Sequence, residues 1–126
     1  MNDKILNKRI FVVDDDLPSF QLIEELLSRH KVFLKHFTNG KDLMKYIRNE
    51  VLPDMIIMDI QLPGVDGLEL TKQVKALEPS IPVIAYTSYA MAGDRERCLQ
   101  SGCDEYVSKP IDLDAFMETV FRYIGD

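Results

Sequence analysis

The chain has 126 residues, of which 46% are hydrophobic and 29% charged, and its formal net charge is −6. That length fits one domain with a self-sufficient core, and the acidic balance offers no basic face to DNA, RNA or an anionic membrane. No apolar run approaches membrane-spanning length and the polar start at Met1-Asn2-Asp3-Lys4 is not that of a signal peptide. Cys98 and Cys103 form no Cys-x-x-Cys or Cys/His cluster. They read as small, partly buried hydrophobes in the reducing cytoplasm.

Taken in chain order, apolar runs alternate with helical patterns. Arg9–Val13 is a strand that leads through Asp14-Asp15-Asp16 into a helix over about residues 18–29. Pro18 suits its first turn, and Leu22, Ile23, Leu26 and Leu27 form its apolar stripe. Val32–Phe37 is the second strand. Thr38-Asn39-Gly40 is a turn and helix cap, and Leu43, Met44 and Ile47 face inward from the helix that follows. Met55–Met58 is the third strand. The loop Leu62-Pro63-Gly64-Val65-Asp66-Gly67 leads to a helix marked by Leu70, Val74 and Leu77. The fourth strand, from Val83, runs to Thr87. The fourth helix is the weakest, because Asp94-Arg95-Glu96-Arg97 is a continuous charged run and only Met91, Cys98 and Leu99 give it an apolar side. Such an element is expected to be loosely held. After the strand Tyr106-Val107-Ser108, the last helix shows the clearest period in Leu113, Phe116, Met117, Val120, Phe121 and Ile124.

Strands alternating with helices predict an α/β fold with a parallel sheet covered on both faces. The expected architecture is the doubly wound (βα)5 flavodoxin-like one, with five strands in the order 2-1-3-4-5. In such a sheet, residues just past the carboxyl ends of the strands line the ligand crevice. Asp14 and Asp15, Asp59, Thr87 and Lys109 all stand at those ends. Crowded carboxylates repel one another and are relieved by a cation, and hard divalent ions such as Mg²⁺ prefer oxygen ligands. Asp59 can attack phosphorus and form an aspartyl phosphate. Lys109 is a point charge suited to a phosphoryl oxygen, and the Thr87 hydroxyl suits another. Asp16 reads as an exposed turn or capping residue. His30 and His36 read as surface or structural residues.

Val13-Asp14-Asp15, Met58-Asp59 with Leu62-Pro63 and Asp66-Gly67, Tyr86-Thr87-Ser88 and Tyr106-Val107-Ser108-Lys109-Pro110 occur in order. Together they resemble the receiver domain of two-component response regulators, over essentially the whole chain (core about residues 8–125). The stretches from Tyr89 to Glu96 and from Gly102 to Tyr106 resemble most the receivers of hybrid sensor histidine kinases, and some single-domain regulators share them. The resemblance implies that Asp59 is the phosphoacceptor. It implies that Asp15 binds Mg²⁺ (or Mn²⁺) directly, Asp14 largely through water, and that Asp59 and the Gln61 backbone carbonyl complete the ligands. Lys109 would pair with the phosphoryl group, Thr87 would move toward it, and Tyr106 would swing into the space this opens. Lys109-Pro110 would be a cis peptide. The added phosphate carries about two negative charges, which can bias a loosely packed helix between two states.

A few positions depart from that pattern. Gly64-Val65 replace a bulkier residue and a methionine, Ser88 replaces a small apolar residue, and Tyr86 is large for a position usually aliphatic. Gln61 and Tyr89 flank the pocket, where side chains shield or orient an attacking water. The expected partners are a histidine kinase or histidine phosphotransfer protein, docking near the first helix and the pocket mouth. With the chain ending at Gly125-Asp126, no output domain is expected. Output would pass to a downstream protein through the fourth helix, fifth strand and fifth helix. No nucleic acid or membrane partner is expected, and the location is cytoplasmic. The chain would catalyse its own aspartyl phosphorylation and dephosphorylation without being a turnover enzyme. A phosphatase using an aspartyl phosphate often needs an Asp two residues past the nucleophile, where Gln61 stands. A flavin carrier would need a phosphate loop where Asp14-Asp15-Asp16 would repel the ligand. The alternative kept is a protein-binding module of the same fold that works without phosphorylation.

Overall fold

Each apolar run becomes a parallel strand, and the sheet order is β2-β1-β3-β4-β5. The computed structural model describes residues 5–62, 66–87 and 92–125. The expectations placed on Met1–Lys4, on Pro63-Gly64-Val65, on Ser88-Tyr89-Ala90-Met91 and on Asp126 lie outside the described residues. The elements are β1 (Arg9–Val13), α1 (Leu17–Leu27), β2 (Phe33–Phe37), α2 (Gly40–Arg48), β3 (Met55–Asp59), α3 (Gly67–Leu77), β4 (Val83–Thr87), α4 (Asp94–Gln100), β5 (Glu105–Ser108) and α5 (Leu113–Ile124).

The central strands are buried on both sides because helices cover both faces, which is why β3 and β4 read as unbroken apolar runs. On one face Val13, Ile56, Met58, Val83 and Ala85 meet Leu43, Met44 and Ile47 of α2, Leu70 and Val74 of α3 and Cys98 of α4. On the other, Ile10, Val12, Met55, Ile57 and Ile84 meet Phe20, Ile23 and Leu27 of α1 and Phe116, Val120 and Ile124 of α5. At the edge, β2 alternates and leaves Phe33 exposed.

Short side chains start four of the helices. Asp16, Asn39, Asp66 and Asp112 accept N–H bonds from Ser19, Asp42, Leu68 and Ala115, each cap being worth about 1 kcal/mol. The start of α4 is at Gly93, whose φ of 86° lies in the left-handed region open to glycine. This helix has seven residues and buries Asp94 and Cys98, so the weak amphipathic signal of its sequence translates into little buried apolar surface.

Several boundaries and faces differ from the sequence reading. The first helix ends at Leu27, and the Ser28 hydroxyl at its C-cap donates to the Glu25 carbonyl at 2.6 Å. Its buried stripe is Phe20, Ile23 and Leu27, whereas Leu22 is 39% exposed. In α5, Leu113 is likewise exposed. Cys98 and Cys103 are fully buried free thiols rather than partly buried ones, and burial pushes both thiols up, Cys98 to about 12.

Candidate functional site

The carboxyl ends of β1 and β3 bring Asp14, Asp15 and Asp59 together, with one carboxylate oxygen from each within 4.8 Å of the others. Asp14 is fully buried and Asp59 is 6% exposed, while Asp15 is open to solvent. Asp59 Oδ1 accepts the Gln61 backbone N–H at 2.9 Å. Burial pushes the Asp59 carboxyl up to about 6, and the nearby Asp14 charge adds to this, while the Gln61 N–H and Lys109 oppose it. A buried acid crowded by a second acid is disfavoured as an anion until a cation compensates it. The donor set is oxygen only and partly open, which fits a hydrated hard divalent ion.

Lys109 extends from the end of β5 across this cluster. Its Nζ lies 3.4 Å from Asp14 Oδ2, 3.9 Å from Asp59 Oδ2 and 3.1 Å from Ser19 Oγ. The Ser19 hydroxyl in turn donates to Asp16 Oδ2 at 2.6 Å, so the α1 cap and the pocket lysine share one network. The Lys109 N–H is held by the Thr87 carbonyl at 2.8 Å, and the Lys109-Pro110 peptide is cis.

Thr87 is fully buried at the end of β4, and its backbone is what ties it to Lys109. Tyr106 pairs through its Cα with Ala85, and its ring packs against the α2–α3–α4 side of the core. Its hydroxyl is buried and has no hydrogen-bond partner among the described residues. Burial pushes that phenol up.

Sequence reasoning missed the pocket contacts of Tyr86 and Ser19, and read His36 as surface or structural without placing it at the pocket. Tyr86 is the Cα partner of Asp59 across β3 and β4 and is 1% exposed. Its hydroxyl donates to Asp14 Oδ2, and Lys109 Nζ lies 4.3 Å from the centre of its ring. The only sequence signal was its size at a position usually aliphatic. Ser19 carried no signal beyond its place near a helix start. His36 stacks on Phe20 with ring centres 4.0 Å apart, and its Nε2 lies 2.7 Å from the Asp14 carbonyl. A carbonyl only accepts, so Nε2 carries the proton. The imidazole thus clamps the Asp14 backbone from the β2 side.

Beside the cluster, Pro18 and Leu22 of α1 and Pro110 and Ile111 after β5 line a cleft of about 260 Å³ that reaches Tyr86 and Lys109. At the start of α3, a Cβ on Gly67 would come within 2.7 Å of the Asp59 carbonyl and 2.5 Å of Ile60 Cα. Among the described residues, no helix is long and apolar enough to cross a membrane.

A doubly wound parallel sheet with an acidic cluster and a lysine at its strand ends defines a receiver-type signalling domain. The chain belongs to the response regulator receiver domain family, whose pattern it matches over residues 10–121. It is thereby a component of two-component signalling. It is 42% identical over 121 residues to the polar-differentiation response regulator DivK of Brucella anthropi, an alignment covering 94% of this chain and 98% of that protein. Among solved structures, it resembles a CheY-like response regulator receiver domain from Methanospirillum hungatei, with a TM-score of 0.86, 26% identity and 94% of each chain covered. It also resembles a chain in the complex of the Saccharomyces cerevisiae histidine phosphotransfer protein Ypd1 with the receiver domain of Ssk1. There the TM-score is 0.83 at 25% identity, with 94% of this chain and 90% of that chain covered.

Proposed function

We propose that this protein is a phosphorylation-dependent switch in which Asp59 accepts a phosphoryl group from a phosphohistidine on a histidine kinase or histidine phosphotransfer protein. The observation that carries this reading is the buried Asp59 carboxylate, crowded by Asp14 and Asp15 and faced by Lys109. In the transfer, an Asp59 carboxylate oxygen forms a bond to phosphorus while the P–N bond of the donor breaks. The imidazole nitrogen leaves with the electron pair and takes up a proton. Asp14, Asp15 and Asp59, with the Gln61 carbonyl, would hold Mg²⁺ or Mn²⁺, which when bound supplies positive charge for the phosphoryl oxygens. Lys109 balances charge on another oxygen, and Thr87 offers its hydroxyl as a further donor.

The switch then runs through Thr87 and Tyr106 to the face formed by α4, β5 and α5. A Tyr106 hydroxyl without a hydrogen-bond partner among the described residues has no bond to break when the ring changes place. The short, weakly buried α4 is the element that two added charges can shift. The donor docks on α1 and the cleft beside Lys109, where Leu22, Pro18 and Ile111 offer apolar contact next to the chemistry. The solved complex of a receiver with a histidine phosphotransfer protein supports that class of partner. No turnover of an external substrate belongs to this scheme, and the setting is the cytoplasm.

The test is incubation with Mg²⁺ and a small acyl-phosphate donor, read by intact mass. A gain of one phosphoryl group that is lost in Asp59→Asn and without Mg²⁺ is the expected result. No gain from either the small donor or a phosphorylated histidine phosphotransfer protein would sink the reading. Signalling that survives Asp59→Asn would favour a phosphorylation-independent binding module instead.

A further inference from the structure

Among the described residues, the two buried carboxylates of the pocket are served unequally. Asp14 Oδ1 accepts the Asp16 N–H at 2.8 Å, and Asp14 Oδ2 takes the Tyr86 hydroxyl and faces Lys109 at 3.4 Å. Asp59 has the Gln61 N–H at 2.9 Å on one oxygen and Lys109 at 3.9 Å from the other. Tyr86 reaches Asp14 from within the core. The residue is 1% exposed and belongs to the layer shared with α1 and α5, and the acceptor its hydroxyl meets is Asp14. The same ring lies beneath the Lys109 ammonium, a placement favoured by the ring's negative face.

We propose that Tyr86 is a positioning residue that satisfies Asp14 in the cation-free pocket and competes with the divalent cation for that carboxylate, so that this side chain sets the metal affinity of the site. The inference rests on the metal-binding reading above. Hydrogen bonds to charged groups contribute more than neutral ones and are costly to lose in a buried setting. A cation drawing on Asp14 must weaken the Tyr86 bond or share its acceptor. An aliphatic residue at this position offers no donor. Asp14 would then stand less compensated beside Asp59 when the cation is absent, and binding of the cation would relieve more repulsion.

Mg²⁺ binding to the full unphosphorylated chain, measured by calorimetry, tests this. Tyr86→Phe keeps the ring beneath Lys109 and removes the hydroxyl. It should bind Mg²⁺ roughly tenfold more tightly than the wild type. It should also melt lower without Mg²⁺ and gain more in melting temperature when Mg²⁺ is added. A side chain that served packing alone would lower the melting temperature and leave the affinity where it was. Wild type that binds Mg²⁺ while Tyr86→Phe binds within twofold of it, or more weakly, overturns the assignment and leaves the site reading standing. Wild type that does not bind Mg²⁺, and behaves like Asp15→Asn, overturns both. If Tyr86→Phe does not fold, Tyr86→Leu, the kind of residue usual at this position, is held to the same criteria. The wild type also gives a check that needs no variant. Of its five tyrosines, Tyr86, identified in ring-labelled protein by its contact with Lys109, should change its NMR signal on Mg²⁺ addition. No change there counts against the assignment.

Discussion

Lys109 lies closer to Asp14 than to Asp59, at 3.4 Å against 3.9 Å. One ammonium therefore serves two carboxylates, and its tether to Ser19 at 3.1 Å holds it on the α1 side of the pocket. In the proposed transfer, where charge would build on phosphoryl oxygens at Asp59, that ammonium would be the protein's own counter-charge. Lys109→Gln should slow phosphorylation by a small acyl phosphate about 100-fold, the scale of losing one preorganised donor. Lys109→Arg should not restore the rate, because a planar fork does not replace a compact point charge. Intact mass followed over time checks both.

The raised Asp59 carboxyl makes stability depend on pH in a definite direction. Its acidity moves from an ordinary 3.8 to about 6 on folding, so the folded state holds this proton more tightly than the unfolded chain does. That contribution is fully present below pH 3.8 and is lost as the pH rises through about 6. Without divalent cation, Asp59→Asn should therefore be more stable than wild type at neutral pH, on the order of 2 kcal/mol, and the gap should close toward pH 4. Thermal melts across that range decide it. Added Mg²⁺ should stabilise wild type above pH 6 and progressively less below, because protons and the cation compete for the same oxygens.

Gly67 allows the start of α3 to pass against the backbone of Asp59 and Ile60. A Cβ there would approach backbone atoms, 2.5 Å from Ile60 Cα and 2.7 Å from the Asp59 carbonyl, and backbone cannot turn aside as a flexible side chain can. Gly67→Ala should destabilise the fold by about 1–3 kcal/mol and displace Asp59. Urea melts should show the first effect, and a slower small-donor phosphorylation the second.

Leu22 separates docking from chemistry. It is exposed on α1 and lines the cleft beside Lys109 without belonging to the carboxylate cluster. Leu22→Arg should leave small-donor phosphorylation and melting temperature nearly unchanged. It should slow transfer from a phosphorylated histidine phosphotransfer protein at least tenfold, the scale of a central interface contact. Equal loss with both donors would place Leu22 in the chemistry instead.

Much of the site was legible in the sequence because an open parallel sheet places strand-end residues in one crevice. Asp59 and Thr87 end strands and Asp14 and Lys109 directly follow them, so their placement needed only the strand pattern and the order of winding. What was illegible concerns side chains that meet across long separations or lie at the edge of a helix face. The Tyr86–Asp14 bond spans 72 residues and the Lys109–Ser19 bond spans 90. Leu22 matched the apolar period of α1, yet one step of rotation around that helix decides whether such a leucine meets the core or the cleft.

By itself, the sequence determined the winding of the chain, the strand ends and the chemical class of the groups carried there. Period and position are local properties, and a parallel sheet converts them into placement. Only the tertiary structure decided how the charges in the crevice are shared. It put the His36 ring under the Asp14 backbone, tied Lys109 to the α1 cap and gave Asp14 a tyrosine hydroxyl. These are matters of a few ångströms between side chains from different elements. They depend on rotamers and on which neighbour reaches a buried acceptor, and no spacing along the chain encodes that.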